Sequence, residues 1–166
     1  MLPIVRKRNV AELASALEKA SIKYVFVGGV AVIAHGYVRT TYDMDIVVAL
    51  TPENIEAAFE ALASVGYRPK QPITGAQFAN RELRESWRRD KQMLVLQFWA
   101  DEKPGVDVFV YEPFDFQKEY SAATLEDMGN GVVARFVSVE SLLVMKREAG
   151  RNKDLADMDA LLKIYE

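Results

Sequence analysis

The sequence has no cysteine, a single histidine, and no surplus of either charge: 21 Lys and Arg stand against 24 Asp and Glu, for a net charge of −3. Without cysteine there is no disulfide, thiolate metal site, iron–sulfur cluster or cysteine nucleophile. A lone histidine seldom builds a metal site, so His35 reads as a packing residue at a helix end. The charge balance excludes a general polyanion-coating protein and leaves room only for a local basic patch. No apolar run approaches the ~18–20 residues that span a bilayer, so no membrane partner is expected. The N-terminus runs Met1-Leu2-Pro3-Ile4-Val5-Arg6-Lys7-Arg8. Its charges follow its apolar residues, the reverse of a secretory signal, and a cytoplasmic location is expected. Linkers, internal repeats and low-complexity tracts are also missing.

What is present is an ordinary globular composition. The chain has 166 residues, half of them hydrophobic and 27% charged. That length predicts one domain over 1–166, with a helical C-terminal segment at about 138–166.

Local patterns predict the elements. Asn9 is placed to cap a helix with Val10, Leu13, Ala14 and Leu17 on one face. Tyr24–Val27 is a buried strand that ends in Gly28-Gly29, and Val30–His35 is a short helix closed by Gly36. Met44–Leu50 is a second strand. Thr51-Pro52 opens a helix that stops at Gly66. A loop over 69–75 leads to one basic helix from Ala76 to about Lys91. Met93–Ala100 and Val106–Tyr111 are strands joined by a five-residue turn. Asn130-Gly131 marks a second hairpin, Ser138 caps a helix to Ala149, and Asn152 caps the last one. Strands joined by short hairpins pair antiparallel, so the fold class is α/β (α+β) with a mixed sheet.

Asp43 and Asp45 flank Met44 at a strand start, so they share one face while Met44 takes the other. Two like charges on an apolar strand repel, and a divalent cation compensates them; hard oxygen ligands select Mg²⁺ or Mn²⁺. Asp107, the one polar residue in Val106-Asp107-Val108-Phe109-Val110, is the third candidate. Three converging carboxylates can hold two metals about 3.5–4 Å apart and clamp a phosphate leaving group. Taken singly, each aspartate also reads as a solvated strand end. Gly28-Gly29 lets backbone approach a ligand closely, and the helix start behind it offers free N–H groups to phosphate; alone the pair is equally a tight turn.

These residues together resemble the DNA polymerase β-like nucleotidyltransferase superfamily. The match lies in Gly28-Gly29-Val30-Ala31-Val32, His35-Gly36, Arg39-Thr40-Thr41 and Asp43-Met44-Asp45-Ile46-Val47-Val48, with 13 residues between Gly29 and Asp43. Asp107 looks like the family's third aspartate. The stretch Lys146-Arg147-Glu148-Ala149-Gly150-Arg151-Asn152-Lys153-Asp154-Leu155-Ala156-Asp157 resembles small prokaryotic members, many of them of toxin–antitoxin or abortive-infection type. The resemblance implies a mixed sheet with helices mainly on one side. It implies NMP transfer from an NTP to an acceptor, with pyrophosphate released. It assigns metal binding and catalysis to Asp43, Asp45 and Asp107, and nucleotide binding to Gly28, Gly29, Arg39, Thr41 and Lys146. RNA such as tRNA, or a cognate toxin or antitoxin protein, is the implied acceptor or partner.

Two further readings stay open. Arg81, Arg84 and Arg88 share one helix face near Trp87 and Phe78, which suits an RNA patch with stacking aromatics. Glu82 and Glu85 are interleaved, which suits a solvated, ion-paired face instead. The alternative function is a non-catalytic module that uses a nucleotidyltransferase fold to hold a nucleotide or a partner.

Overall fold

The computed structural model describes residues 3–165. The element order is α1 (Lys7–Lys19), β1 (Tyr24–Val27), α2 (Gly28–Ala34), β2 (Asp43–Val48), α3 (Pro52–Ser64), β3 (Arg68–Pro69), α4 (Gly75–Ala79), α5 (Arg81–Lys91), β4 (Val95–Trp99), β5 (Gly105–Phe109), α6 (Phe116–Ser121), β6 (Thr124–Gly129), β7 (Val132–Phe136), α7 (Val139–Ala149) and α8 (Asn152–Ile164). Among the described residues the strands form one sheet in the order β3-β4-β5-β2-β1-β7-β6. It is mixed, as the hairpins predict: β2 pairs parallel with β5 and β1 parallel with β7, while the β1–β2, β3–β4, β4–β5 and β6–β7 pairs are antiparallel.

Burial follows position in the sheet. All four residues of β1 are buried, so both faces of this interior strand are covered. In β5 and β4 the residues Val106, Val108, Leu96 and Phe98 face the core, while Gly105, Asp107, Phe109, Val95 and Gln97 alternate with them on the other face. That second face is the floor of the site.

Several element ends form as the sequence predicts. Thr51 caps α3 through a bond from the Asn54 N–H, with Pro52 in its first turn. Ser138 caps α7, and Gly150 closes it at φ +63°. Asn130 and Gly131 both take positive φ, as a tight hairpin turn with the right twist requires.

Other ends differ, each for a local reason. Arg6, not Asn9, caps α1; the Asn9 side chain sits inside the helix and accepts the Arg6 backbone N–H at 2.8 Å. Arg151, not Asn152, caps α8, because Asp154 reaches back to the Arg151 N–H. The basic stretch is two helices, not one. Asn80 leaves the helical conformation to end α4, and its side chain caps α5 by accepting the Leu83 N–H at 3.1 Å. Arg68–Pro69 adds a short strand at the edge beside β4, α6 fills a stretch without a strong sequence signal, and β6 is the incoming strand of the hairpin that Asn130-Gly131 marks. No helix among the described residues is long and apolar enough to cross a membrane.

Asn54 fastens α3 to the sheet. Its carboxamide oxygen accepts the Lys23 N–H at 2.8 Å, and its Nδ2 donates to the Lys23 and Ala49 carbonyls, each at 3.0 Å. Asn54→Asp removes both donors and sets a carboxylate against two carbonyl oxygens. A loss of about 1–3 kcal/mol is expected. Urea denaturation should show a lower midpoint with an unchanged slope.

Candidate active site

The sheet register builds the site. Asp45 on β2 lies opposite Asp107 on β5, Asp107 lies opposite Gln97 on β4, and Val27 on β1 lies opposite Asp45. One row across four strands therefore reads Val27, Asp45, Asp107, Gln97. Residues in such a row present side chains to the same face. Asp43, two residues before Asp45, is exposed on that face opposite Gly105. Met44 between them is fully buried on the other side.

The neighbouring glycines are fitted to these carboxylates. Gly28 has φ +67°, and a Cβ placed on it would overlap Asp45 Oδ2. A Cβ on Gly105 would lie 2.9 Å from Asp43 Oδ1. Gly29 faces the connector instead, where a Cβ would meet Thr41 Oγ1 at 2.6 Å and an Arg39 terminal nitrogen at 3.0 Å.

All the residues that the resemblance assigns to metal, catalysis or nucleotide binding open onto one cleft of about 580 Å³: Gly28, Gly29, Arg39, Thr41, Asp43, Asp45, Asp107 and Lys146. Its other walls are largely apolar, with Leu94, Phe109, Tyr111 and Pro113 from the β4–β5 side and Leu142 and Met145 from α7. Arg88 lies over the Tyr111 ring at 3.7 Å from its centroid.

Among the described residues, no three carboxylate, imidazole or thiolate groups stand ready-arranged as a metal-binding set. Asp45 and Asp107 instead lie side by side in register, and burial with nearby carboxylate charge makes both hold a proton more tightly than an ordinary carboxyl. Burial, with the charge of Asp43 adding to it, pushes Asp45 up to about 6. Burial and the charges of Asp45 and Asp43 push Asp107 up to about 7. The donor set still suits a hard divalent cation. It offers carboxylate oxygens only, and its surplus negative charge is relieved by a proton where a cation would relieve it better.

Two cations of the site, Arg39 and Lys146, are paired with carboxylates of α8, and Lys153 also lines the cleft. Arg39 donates from Nε and a terminal nitrogen to the two oxygens of Asp157, at 2.8 and 2.9 Å. Lys146 is buried, and its Nζ lies 3.2 Å from Asp154 and 2.9 Å from Asp157. It is therefore not a surface lysine with its ammonium in water. Burial would raise Asp154, but hydrogen bonds from Arg151 and Lys146 hold it below the usual carboxylate range.

Two expectations change. Arg81, Arg84 and Arg88 do not present one open basic face. Arg84 is buried and donates to the Phe78 carbonyl at 2.7 Å, Arg81 pairs with Glu85, and Arg88 covers Tyr111. Phe78 and Trp87 are core residues, 0% and 8% exposed, and are not placed to stack on bases. His35 sits at the end of α2, as its single occurrence suggests. Its Nε2 donates to the Val137 carbonyl at 2.8 Å and its Nδ1 meets the Tyr165 hydroxyl at 3.2 Å. Gln97, which lies opposite Asp107 in the sheet, was not singled out from the sequence. Its one signal there is being the only polar residue within Val95-Leu96-Gln97-Phe98-Trp99.

The fold has solved counterparts. The lincosamide antibiotic adenylyltransferase LnuA, with lincomycin bound, is 14% identical over 98% of this chain and 99% of its own, with a TM-score of 0.61. The antibiotic-resistance factor ANT(2'')-Ia is 13% identical over 96% of this chain and 84% of its own, at 0.61. An antigenic nucleotidyltransferase-like protein from Paracoccidioides brasiliensis is 18% identical over 95% of this chain and 75% of its own, at 0.59. No protein-family model matches the chain, and no curated protein sequence matches it. The chain shares the fold of these solved nucleotidyltransferase structures.

The raised carboxyls have a consequence for stability. Their folded pKa values, about 6 and about 7, lie above the usual ~4 of an unfolded chain. Between about pH 4 and about pH 7 the native state holds more protons than the unfolded one, so this pair costs stability as pH rises. Asp107→Asn is expected to raise the metal-free melting temperature at pH 8 and to leave it nearly unchanged at pH 4. Mg²⁺ should raise the wild-type melting temperature at pH 8 and not at pH 5. Thermal melts across that pH range check both.

Proposed function

We propose that the chain is a Mg²⁺-dependent nucleotidyltransferase, one unit over its length, that moves an NMP from an NTP to an acceptor hydroxyl. The single observation that carries this reading is the placement of Asp45 beside Asp107 in register, in a cleft shared with Gly28-Gly29, Arg39 and Lys146. The fold it shares with adenylyltransferases supports the same chemistry.

Asp43, Asp45 and Asp107 would hold Mg²⁺ or Mn²⁺, which when bound neutralises phosphate charge and makes the acceptor oxygen a better nucleophile. The protein's own groups do the rest. Gly28 and Gly29 let backbone approach the triphosphate without a Cβ in the way. Thr41 Oγ1, beside Gly29, adds a hydroxyl at the same place. Arg39 and Lys146 face the cleft with their remaining N–H groups and bind phosphate oxygens. Asp107, opposite Gln97 in the sheet, orients the acceptor hydroxyl. The acceptor oxygen bonds to the α-phosphorus as the bond to the bridging oxygen breaks. The hydroxyl proton goes to a carboxylate or water, and pyrophosphate leaves. Most of the rate enhancement is positioning and charge stabilisation.

For the acceptor, the apolar wall of Leu94, Phe109, Tyr111 and Pro113 favours a hydroxyl on a compact, largely uncharged group. A partner-protein side chain in a toxin–antitoxin pair and a small molecule both present one, and an RNA end offers a hydroxyl on a polyanionic chain instead. The buried Phe78 and Trp87 remove the main support for a broad RNA surface on α5.

The test is incubation with each α-labelled NTP, Mg²⁺ and, in parallel, total tRNA, cell lysate protein or hydroxylated small molecules. Label on an acceptor is expected from wild type. Asp43→Asn and Asp45→Asn are each expected to reduce it by at least about 100-fold while keeping the fold. Normal transfer by both variants would sink the carboxylate assignment. NTP binding without transfer to any acceptor would favour the non-catalytic module.

A further inference from the structure

The ion cluster behind the cleft is expensive to build. Asp154 and Asp157 are 0% and 1% exposed. Burying a carboxylate sacrifices hydration that a partner repays only in part, and apolar side chains of similar size commonly hold two helices together as well or better. Joining α7 to α8 therefore does not explain these residues.

Their hydrogen bonds suggest what does. Three cations, Arg39, Lys146 and Arg151, meet these two carboxylates. Asp157 takes Arg39 through two N–H groups at 2.8 and 2.9 Å, and takes Lys146 at 2.9 Å on the second oxygen. Asp154 takes Lys146 at 3.2 Å and Arg151 Nε at 2.6 Å. An ammonium has three N–H donors and a guanidinium five. Lys146 donates to Asp154 and lies against Asp157 as an ion pair. Arg39 has two donors on Asp157 and one on the Thr40 carbonyl at 2.7 Å. Each cation keeps at least one free donor, and both line the cleft. Arg39 also lies against the glycine turn, within 3.0 Å of where a Gly29 Cβ would be. Without Asp157 the two cations would repel each other, and Arg39, with a side chain 24% exposed, would be free to turn into solvent.

We infer that Asp157, backed by Asp154, is a positioning residue that fixes Arg39 and Lys146 as a two-pronged receptor for the polyphosphate of the bound nucleotide. The inference rests on the nucleotidyltransferase reading above and adds to it a residue that touches no substrate. Its consequence is selectivity. Losing Asp157 removes the preference for a triphosphate over a monophosphate and leaves the rest of the nucleotide site in place.

Calorimetric titration of the whole chain with ATP and with AMP, both with Mg²⁺, tests this; GTP/GMP, CTP/CMP and UTP/UMP are run the same way. Wild type is expected to bind one triphosphate more tightly than its monophosphate. Asp157→Asn should cut that ratio about tenfold or more, with monophosphate affinity within about threefold of wild type. Arg39→Lys keeps the charge but loses the two-bond contact, and should cut the ratio in the same direction. It decides the matter if Asp157→Asn does not fold. Equal weakening of triphosphate and monophosphate, or an unchanged ratio, would overturn the inference and return Asp157 to a structural role. A wild type with no triphosphate preference in any pair would overturn the nucleotidyltransferase reading itself, and the inference with it.

Discussion

Asp45 and Asp107 stand abreast on neighbouring parallel strands, where burial and the surrounding carboxylate charge make both hard to ionise. Much of the site's surroundings answers to that pair. Gly28 has to be glycine because Asp45 occupies the space a Cβ would need. Gly105 leaves room for Asp43 in the same way. Lys146 and Lys153 bring positive charge close enough to moderate Asp45. A protein selected for stability alone would not keep two carboxylates in one row of a sheet. Their retention is an argument for a site whose demands are met only when a ligand brings opposite charge.

The part of this that could be read from the sequence is the part with a short period. Asp43 and Asp45 share a face because strand side chains alternate. The caps at Thr51, Ser138 and Gly150 depend only on neighbouring residues, and all form where the local pattern puts them. The adjacency of β2 and β5 is different. It joins residues far apart in the chain, and only the resemblance to a known family suggested it. The Asp154–Asp157 cluster was legible in part. Asp154 reads as a favourable charge near a helix start, and Asp157 as a salt-bridge partner of Lys153 or Lys146, of which the structure forms the pair with Lys146. Only the packing of α8 on α7 and on the Arg39 connector gives them buried partners.

The middle of the chain was misread because its local signals were ambiguous. Asn80 is a good cap, but no glycine or proline stands beside it to announce a break, so α4 and α5 read as one helix. Arg84 lies three residues before Trp87, on the same inward face, and its buried guanidinium donates to the Phe78 carbonyl. Counting arginines along a helix does not distinguish a charge offered to solvent from one buried to satisfy a backbone oxygen.

The two ends of the sheet carry a different lesson. β3, at one edge, is two residues long and ends in Pro69, which has no N–H to donate. β6, at the other, carries Glu126 and Asp127 and breaks register between Asp127 and Gly129. Neither edge offers a long, flat row of free backbone groups on which another chain could extend the sheet. A protein with half its residues apolar thus carries protection against edge-to-edge aggregation in its outermost strands, well away from its chemistry. Replacing Pro69 or straightening the β6 bulge would reduce that protection without touching the cleft.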